Sequence, residues 1–213
     1  MDPIIKSYPS VPFGELNYCH DHGIAYQKDM TRSVPYDKDY FEKYVRYENT
    51  EIANNLNKCR TSITEKYCTS VLDIGIGSGE FIKASGIRAY GFDINPVAVR
   101  WLRERGLYVD PYASMPGVGG LTFWDSLEHI PNPNAILSVM KKDQLAFVAL
   151  PIFSDLTKIR QSKHYRPDEH YYYFTTAGMI QYMKGSGFTL VELSDEETRS
   201  GREDIITFVF SKN

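Results

Sequence analysis

VLDIGIGSGEF, residues 71–81, passes from an apolar run through three alternating glycines into a helical pattern. The run SVLDI (70–74) is short and bounded by glycine, as a strand buried on both faces would be. Gly75, Gly77 and Gly79 follow it, and glycine lets a backbone turn tightly and come close to a ligand. GEFIKASG (79–86) then reads as a helix closing at Gly86, with its N-terminus facing whatever the loop holds. Asp73 lies in the strand end, and RAYGFD (88–93) is a second strand that ends on another acid, Asp93. In dinucleotide-binding folds an acid at that place takes the ribose hydroxyls of an adenosine.

Outward from this unit the alternation continues. Asn95 caps a helix with Pro96 at its first position, and PVAVRWLRER stops at Gly106. Short strands follow at LYV (107–109) and LTFWD (121–125), then a helix at 134–141 and the strand QLAFVALP (144–151). Thr175 or Thr176 begins a helix that runs to Gly185 or Gly187. FTLVELS (188–194) and DIITFVFS (204–211) read as an antiparallel pair joined by a charged loop. Upstream, Ile52, Leu56, Cys59, Ile63 and Tyr67 share one face of a helix. Residues 1–36 show no periodicity and read as an irregular arm. The expected architecture is α/β, a doubly wound, mostly parallel sheet of seven strands with an antiparallel last strand. It places the arm at 1–36 before one domain at 37–213, a helical lead-in (37–69) leading to the core sheet (70–213).

The composition narrows the classes. The 213 residues are 42% hydrophobic and 24% charged, enough to bury one sizeable core. A net charge of −3 gives no overall basic field for nucleic acid or membrane. Cys19, Cys59 and Cys68 are an odd, widely spaced set that suits a reducing compartment rather than a disulfide framework. No signal-like N-terminus and no apolar run of roughly 18 residues occurs, so a soluble, cytoplasmic protein is expected.

The order D-x-G-x-G-x-G departs from the dinucleotide fingerprint and resembles motif I of the class I S-adenosylmethionine (SAM)-dependent methyltransferases. SAM carries no phosphate, and its amino-acid moiety lies along the loop in that family. The resemblance runs from about residue 70 to the C-terminus and implies a Rossmann-like sheet with an antiparallel last strand. It implies that Asp73 supports the methionine part, that Gly75, Gly77 and Gly79 shape the loop, and that Asp93 binds ribose. Ile94 would lie against adenine, Asp110 in VDPY is a candidate for the adenine amine, and Trp124 is placed with the cofactor. Trp124 and the tyrosines also favour a planar acceptor.

LTFWDSLEHIPNP (121–133) is similar to the L-E-H segment of small-molecule methyltransferases, although Gly119-Gly120-Leu121 replaces the aspartate that usually opens that strand. Quinone-biosynthesis O-methyltransferases carry a similar E-x-x-E-H that can hold a divalent cation. On that resemblance Asp125, Glu128 and His129 are candidate ligands for Mg²⁺, Mn²⁺ or Zn²⁺, which would acidify an acceptor hydroxyl. Without a metal, His129 is a candidate general base, or the group lines the pocket by hydrogen bonding. HYRPDEHYYYFT (164–175) resembles an H-x-x-x-x-E-H-x-x-x-F-T segment that covers the acceptor pocket in related enzymes. His164, Glu169 and His170 are candidates for a base or ligands there, and Tyr171 to Tyr173 for stacking on a flat acceptor. Read structurally, the same segment is a latch that anchors the next helix. Cys19, His20, Asp21 and His22 lack a second ligand pair for zinc, so the arm is expected to cover the active-site mouth.

The leading reading is a SAM-dependent methyltransferase acting on a small-molecule acceptor. Methylation of DNA would call for a [DNS]-P-P-[FYW] or Pro-Cys motif, and neither occurs. RNA or a free nucleotide stays open as the acceptor, as does a non-catalytic SAM-binding module, against which the intact glycine loop and the polar 125–129 and 164–170 segments stand.

Overall fold

A computed structural model of the chain describes residues 1–29, 35–48 and 50–213; positions 30–34 of the arm and 49 of the helical lead-in lie outside the described residues. α1 (Pro3–Ser7) starts on Asp2, whose carboxylate accepts the amides of Ile4 and Ile5. β1 (Val11–Phe13), β2 (Leu16–Cys19) and β3 (Ile24–Gln27) then run antiparallel to one another. α2 (Lys38–Val45) and α3 (Glu51–Tyr67) follow, the second capped by the Thr50 hydroxyl on the Ala53 amide. β4 (Ser70–Ile74), α4 (Glu80–Ala84), β5 (Arg88–Phe92) and α5 (Pro96–Glu104) make the strand–loop–helix units read from the sequence. After them come β6 (Gly120–Trp124), α6 (Asn134–Leu137), β7 (Leu145–Pro151), β8 (Tyr172–Phe174) and α7 (Thr176–Gly185). β9 (Phe188–Ser194), α8 (Glu196–Arg199) and β10 (Ile205–Lys212) close the chain.

The main sheet has the order β5-β4-β6-β7-β10-β9, parallel except for β10, which runs antiparallel to both its neighbours. It has six strands rather than seven. Residues 107–109 make only a bridge from Tyr108 to Gly91, because Asp110 turns the chain immediately afterwards by accepting the Tyr112 amide. The described residues of the arm are not irregular throughout: β1, β2 and β3 join β8 in a second, antiparallel sheet. All four residues of β3 are buried, so the alternation that marks a half-exposed strand is missing from its sequence. The charged loop between β9 and β10 contains α8, and α6 ends four residues before the helix expected to 141.

Alternate side chains of the central strands face two layers, as the pleat requires. Leu72, Leu121, Phe123, Val148 and Phe208 meet α6, α7, α1 and β8 on one side. Val71, Phe147, Ala149 and Val209 meet α3, α4 and α5 on the other. The small sheet closes the first layer and its strands β1, β2 and β3 do not line the cleft described below; of the described residues of the arm only Tyr36, at its end, reaches that cleft. The arm's anchor is Asp2, fully buried, which also accepts the Asn134 amide and the Tyr182 hydroxyl at 2.8 Å each.

Asp2→Ala strands the buried Tyr182 hydroxyl and deprives the part-buried Asn134 amide of its acceptor. The variant is expected to lose about 2 kcal/mol or more of stability in urea unfolding; a loss under about 0.5 kcal/mol contradicts this view of the N-terminus.

Candidate active site

β4 lies between β5 and β6, so the chain leaves it toward one neighbour and later returns on the other side. Open α/β sheets place ligands at such a switch point, beyond the strand C-termini. Gly75 turns there with φ 80°, its amide on the Phe92 carbonyl at 2.8 Å. A Cβ at Gly75 would stand 2.8 Å from the Ser126 Cβ, and Ser126 itself donates to the Ile74 carbonyl at 2.6 Å. Gly77 and Gly79 also take positive φ, and Gly79 caps α4 hard against the Trp101 ring. Above this loop opens a cleft of about 360 Å³ that reaches from Asp93 and Ile94, past Asp73, to Trp124, Asp125 and His129.

Asp73 is buried and accepts the Thr122 hydroxyl at 2.7 Å. Burial, helped by the charge of Asp93, pushes its carboxyl up to about 7 against the pull of Thr122 and Arg60. Asp93 is also raised, foremost by burial, and is steadied by the amides of Asn95, Ile94, Ile76 and Gly77. Its Oδ1 accepts the Asn95 amide at 2.7 Å. Ile94 stands exposed on the cleft wall beside it, an apolar surface ready for a flat ring. Asp110 does not line the cleft; its Oδ1 is occupied by the Tyr112 amide, and Tyr112 is the residue that reaches the wall, edge-on to Phe92.

At the other end the D-x-x-E-H segment splits. Asp125, at φ 52°, accepts Arg60 at 2.7 Å and Arg202 at 2.8 and 3.0 Å. Both guanidiniums also bind Glu197 of α8, which is 1% exposed. Burial raises the Asp125 carboxyl, but Arg202 and Arg60 more than reverse this and hold it well below the carboxylate range. Asp125 is thus committed to two arginines and does not face Glu128 and His129 as a third ligand. The spacing alone suggested otherwise, but the residues after it form a 3-10 turn, Leu127–His129, that carries Glu128 inward. Arg60 also lies over Trp124, 5.1 Å from the ring centroid, and is the only lysine or arginine among the described residues that line the cleft.

Glu128 is buried, and neither of its carboxylate oxygens has a hydrogen-bond partner. Burial, then the charge of Asp125, pushes it up to about 8. Its companions are His129 and His170: one ligand-capable atom of each of the three lies within 4.8 Å of the others, and the two rings meet edge to face at 4.6 Å. The Tyr171 amide donates to the Glu128 carbonyl at 2.8 Å and locks the two segments together. His129 lines the cleft, while His170 stays buried behind it, its imidazole pushed down to about 2 by burial and by His129. His164 and Glu169 do not reach the cleft: His164 bonds the Glu203 carbonyl at 2.9 Å, and Glu169 pairs with Arg166 at 3.4 Å. Tyr171, Tyr172 and Tyr173 are all buried in the core, so none is free to stack on an acceptor. At the arm, His22 stacks on Tyr8, Cys19 is buried and His20 pairs with Asp21 in solvent. Arg60, Glu197 and Arg202 carried no signal in the sequence, being charged residues of a helix face and a loop.

A switch-point cleft over a strand–glycine loop–helix turn, with an acid ending the next strand and an antiparallel last strand, defines the class I SAM-dependent methyltransferase architecture. A family model described as a methyltransferase domain matches residues 41–193, most of the chain. The chain belongs to that family and is a SAM-dependent methyltransferase. No curated protein matches its sequence. Its fold is similar to that of mitomycin 7-O-methyltransferase MmcR, with TM-score 0.58, 16% identity, and coverage of 81% of this chain and 57% of that one. It is also similar to the Burkholderia thailandensis 1,6-didemethyltoxoflavin-N1-methyltransferase with bound 1,6-didemethyltoxoflavin and S-adenosylhomocysteine (TM-score 0.54, 16% identity, 94% and 100% covered). A SAM-dependent methyltransferase from Archaeoglobus fulgidus gives TM-score 0.58 at 17% identity, with 81% and 99% covered. Likenesses at these identities establish a common fold. This chain therefore spans little more than half of the mitomycin enzyme and the whole of the toxoflavin enzyme.

The fold favours the neutral acid of Asp73, whose value rises from 3.8 to about 7. Its contribution to stability is fullest below about pH 4 and is lost as the pH climbs toward 7, on the order of a few kcal/mol. Asp73→Asn removes that decline, so the variant should gain stability relative to wild type between about pH 4.5 and 7.5 in urea unfolding. A difference that is the same at both pH values contradicts the shift.

Proposed function

We propose that the enzyme transfers the SAM methyl group to a hydroxyl or amine of a small, planar molecule, with His129 as the proton acceptor. The observation that carries this reading is that the glycine loop, Asp93 and His129 line one cleft of about 360 Å³. The methionine part lies over Gly75–Gly79, its ammonium by Asp73 and its carboxylate by Arg60, whose Nη1 none of the neighbouring carboxylates engages. Asp93 takes the ribose hydroxyls by charge-assisted hydrogen bonds, and Ile94 lies along adenine. Trp124 belongs to the same wall, where it supports Arg60.

The acceptor then enters between His129, Ile130 and Pro131 and the aromatic residues Tyr36, Tyr40 and Tyr47. Flat apolar walls suit a planar ring. The attacking atom forms its bond to the methyl carbon as the carbon–sulfur bond breaks, and the electron pair goes to sulfur to give S-adenosylhomocysteine. SAM is already activated, so the protein supplies in-line positioning and a place for the acceptor's proton, which His129 takes. The names of the mitomycin and toxoflavin enzymes describe small-molecule acceptors, which supports the class but names no acceptor for this chain. A cleft with a single lysine or arginine among its described lining residues, on a chain of net charge −3, disfavours nucleic acid. No helix of the described residues is long and apolar enough to cross a membrane, and three free cysteines support a reducing, cytoplasmic setting.

A second reading rests on Glu128. A bare buried carboxylate beside two imidazoles is a chemically suitable donor set for a divalent cation, formed by Glu128, His129 and His170 without Asp125. Such an ion would acidify an acceptor hydroxyl.

Turnover of ¹³C-methyl SAM with a panel of hydroxylated and amino-substituted aromatic compounds should give a labelled small molecule. His129→Ala should lower the rate on the order of 100-fold while leaving S-adenosylhomocysteine binding unchanged. Resistance to chelator supports the metal-free base, and sensitivity supports the cation. Activity that survives both chelator and His129→Ala removes both readings.

A further inference from the structure

Asn95 lies two residues past Asp93, 3% exposed and on the cleft wall. Its amide N–H donates to Asp93 Oδ1 at 2.7 Å, and its own Oδ1 caps α5 by accepting the Val97 amide at 2.9 Å. A cap needs only that oxygen, and serine or aspartate would supply it as well. The side-chain nitrogen does something further: Nδ2 donates to the Asp37 carbonyl at 2.9 Å. Asp37 is the residue that starts α2. Its carboxylate accepts the Tyr40 amide at 3.0 Å, and its carbonyl also accepts the Phe41 amide at 3.2 Å. One buried side chain therefore caps one helix and holds the cap of another.

The second helix needs holding. α2 has eight residues, too few to be stable by itself in water, and its Lys38–Glu42 ion pair is solvent-exposed. Yet Tyr40 and Phe41 form part of the cleft wall, and Tyr36 just before the helix does too. We propose that Asn95 is a positioning residue that ties α2, and with it this aromatic wall, to the acid Asp93. A cofactor ribose on Asp93 and the seating of α2 over the cleft then become one event. The inference rests on the reading of Asp93 as the ribose acid. It goes beyond that reading in coupling the ribose acid to the seating of α2, and so to the wall that faces the acceptor.

Hydrogen exchange in wild type, Asn95→Ser and Asn95→Asp, each with and without S-adenosylhomocysteine, tests it. Both variants keep a cap acceptor for α5, and the serine adds no charge. In wild type the ligand should slow exchange at 71–95 and also at 36–45, by roughly 5-fold or more, the low end of coupling between linked sites. In both variants protection at 71–95 should remain and protection at 36–45 should vanish. A purely structural role would instead change exchange equally with and without ligand. Protection of 36–45 in the variants as in wild type overturns the proposal, and so does its absence in wild type while 71–95 is protected. A wild type protected in neither segment overturns the Asp93 reading together with it. The wild-type measurement stands even where a variant does not fold.

Discussion

Gly75 leaves β4 at a φ of 80°, its amide on the Phe92 carbonyl and no space for a side chain against Ser126. That turn fixes three strand ends at once. It pins the end of β5, so that Asp93 emerges beside the loop, and it packs on the residue that follows Asp125 at the end of β6. Ser126 completes the junction by donating to Ile74, on the strand that Gly75 terminates. Asp93 and the residues that follow β6, Asp125 to His129, are therefore set relative to each other by backbone geometry rather than by flexible side chains. This is the preorganisation that in-line transfer between two bound molecules requires.

Beyond the turn, two carboxylates three residues apart meet opposite fates. Asp125 is held by Arg60 and Arg202, and these with Glu197 make a group of two positive and two negative charges. Such a balanced, hydrogen-bonded group can be tolerated in a largely dry site, whereas removing one member leaves a neighbour's charge uncompensated. It also joins α3, the end of β6 and α8, segments otherwise distant in the chain, and it offsets the cost of a positive φ at a non-glycine residue. Glu128 has no such company. The charge of Asp125 adds to its burial in disfavouring the anion, which leaves the neutral carboxyl as the favoured form.

What could be read from the sequence was local. The run from Val71 to Phe81 announces strand, loop and helix through residue types that each need that conformation, and Asn95-Pro96 announces the next helix in the same way. The antiparallel pair β9 and β10 was legible because apolar runs of strand length flank a charged loop. The arm was not: β1 to β3 are three or four residues long, and the pairing of β3 with β8 joins segments far apart in the chain. The meeting of His129 with His170 and of Arg60 with Asp125 has the same character. Both segments around the histidines carry legible motifs, but only the tertiary fold decides that His170 turns inward while His164 and Glu169 stay away from the cleft. Spacing suggested that Asp125, Glu128 and His129 share a face, and a 3-10 turn with two arginines nearby decided otherwise.

A crystal structure of the enzyme with S-adenosylhomocysteine is the decisive measurement, since the role of each residue in the cleft depends on how that molecule lies. Its ribose hydroxyls should lie on the Asp93 carboxylate, its amino-acid end over Gly75–Gly79 with the carboxylate at Arg60, and its sulfur directed toward His129. A ligand bound in the reverse sense, or one seated away from Asp93, would contradict those roles.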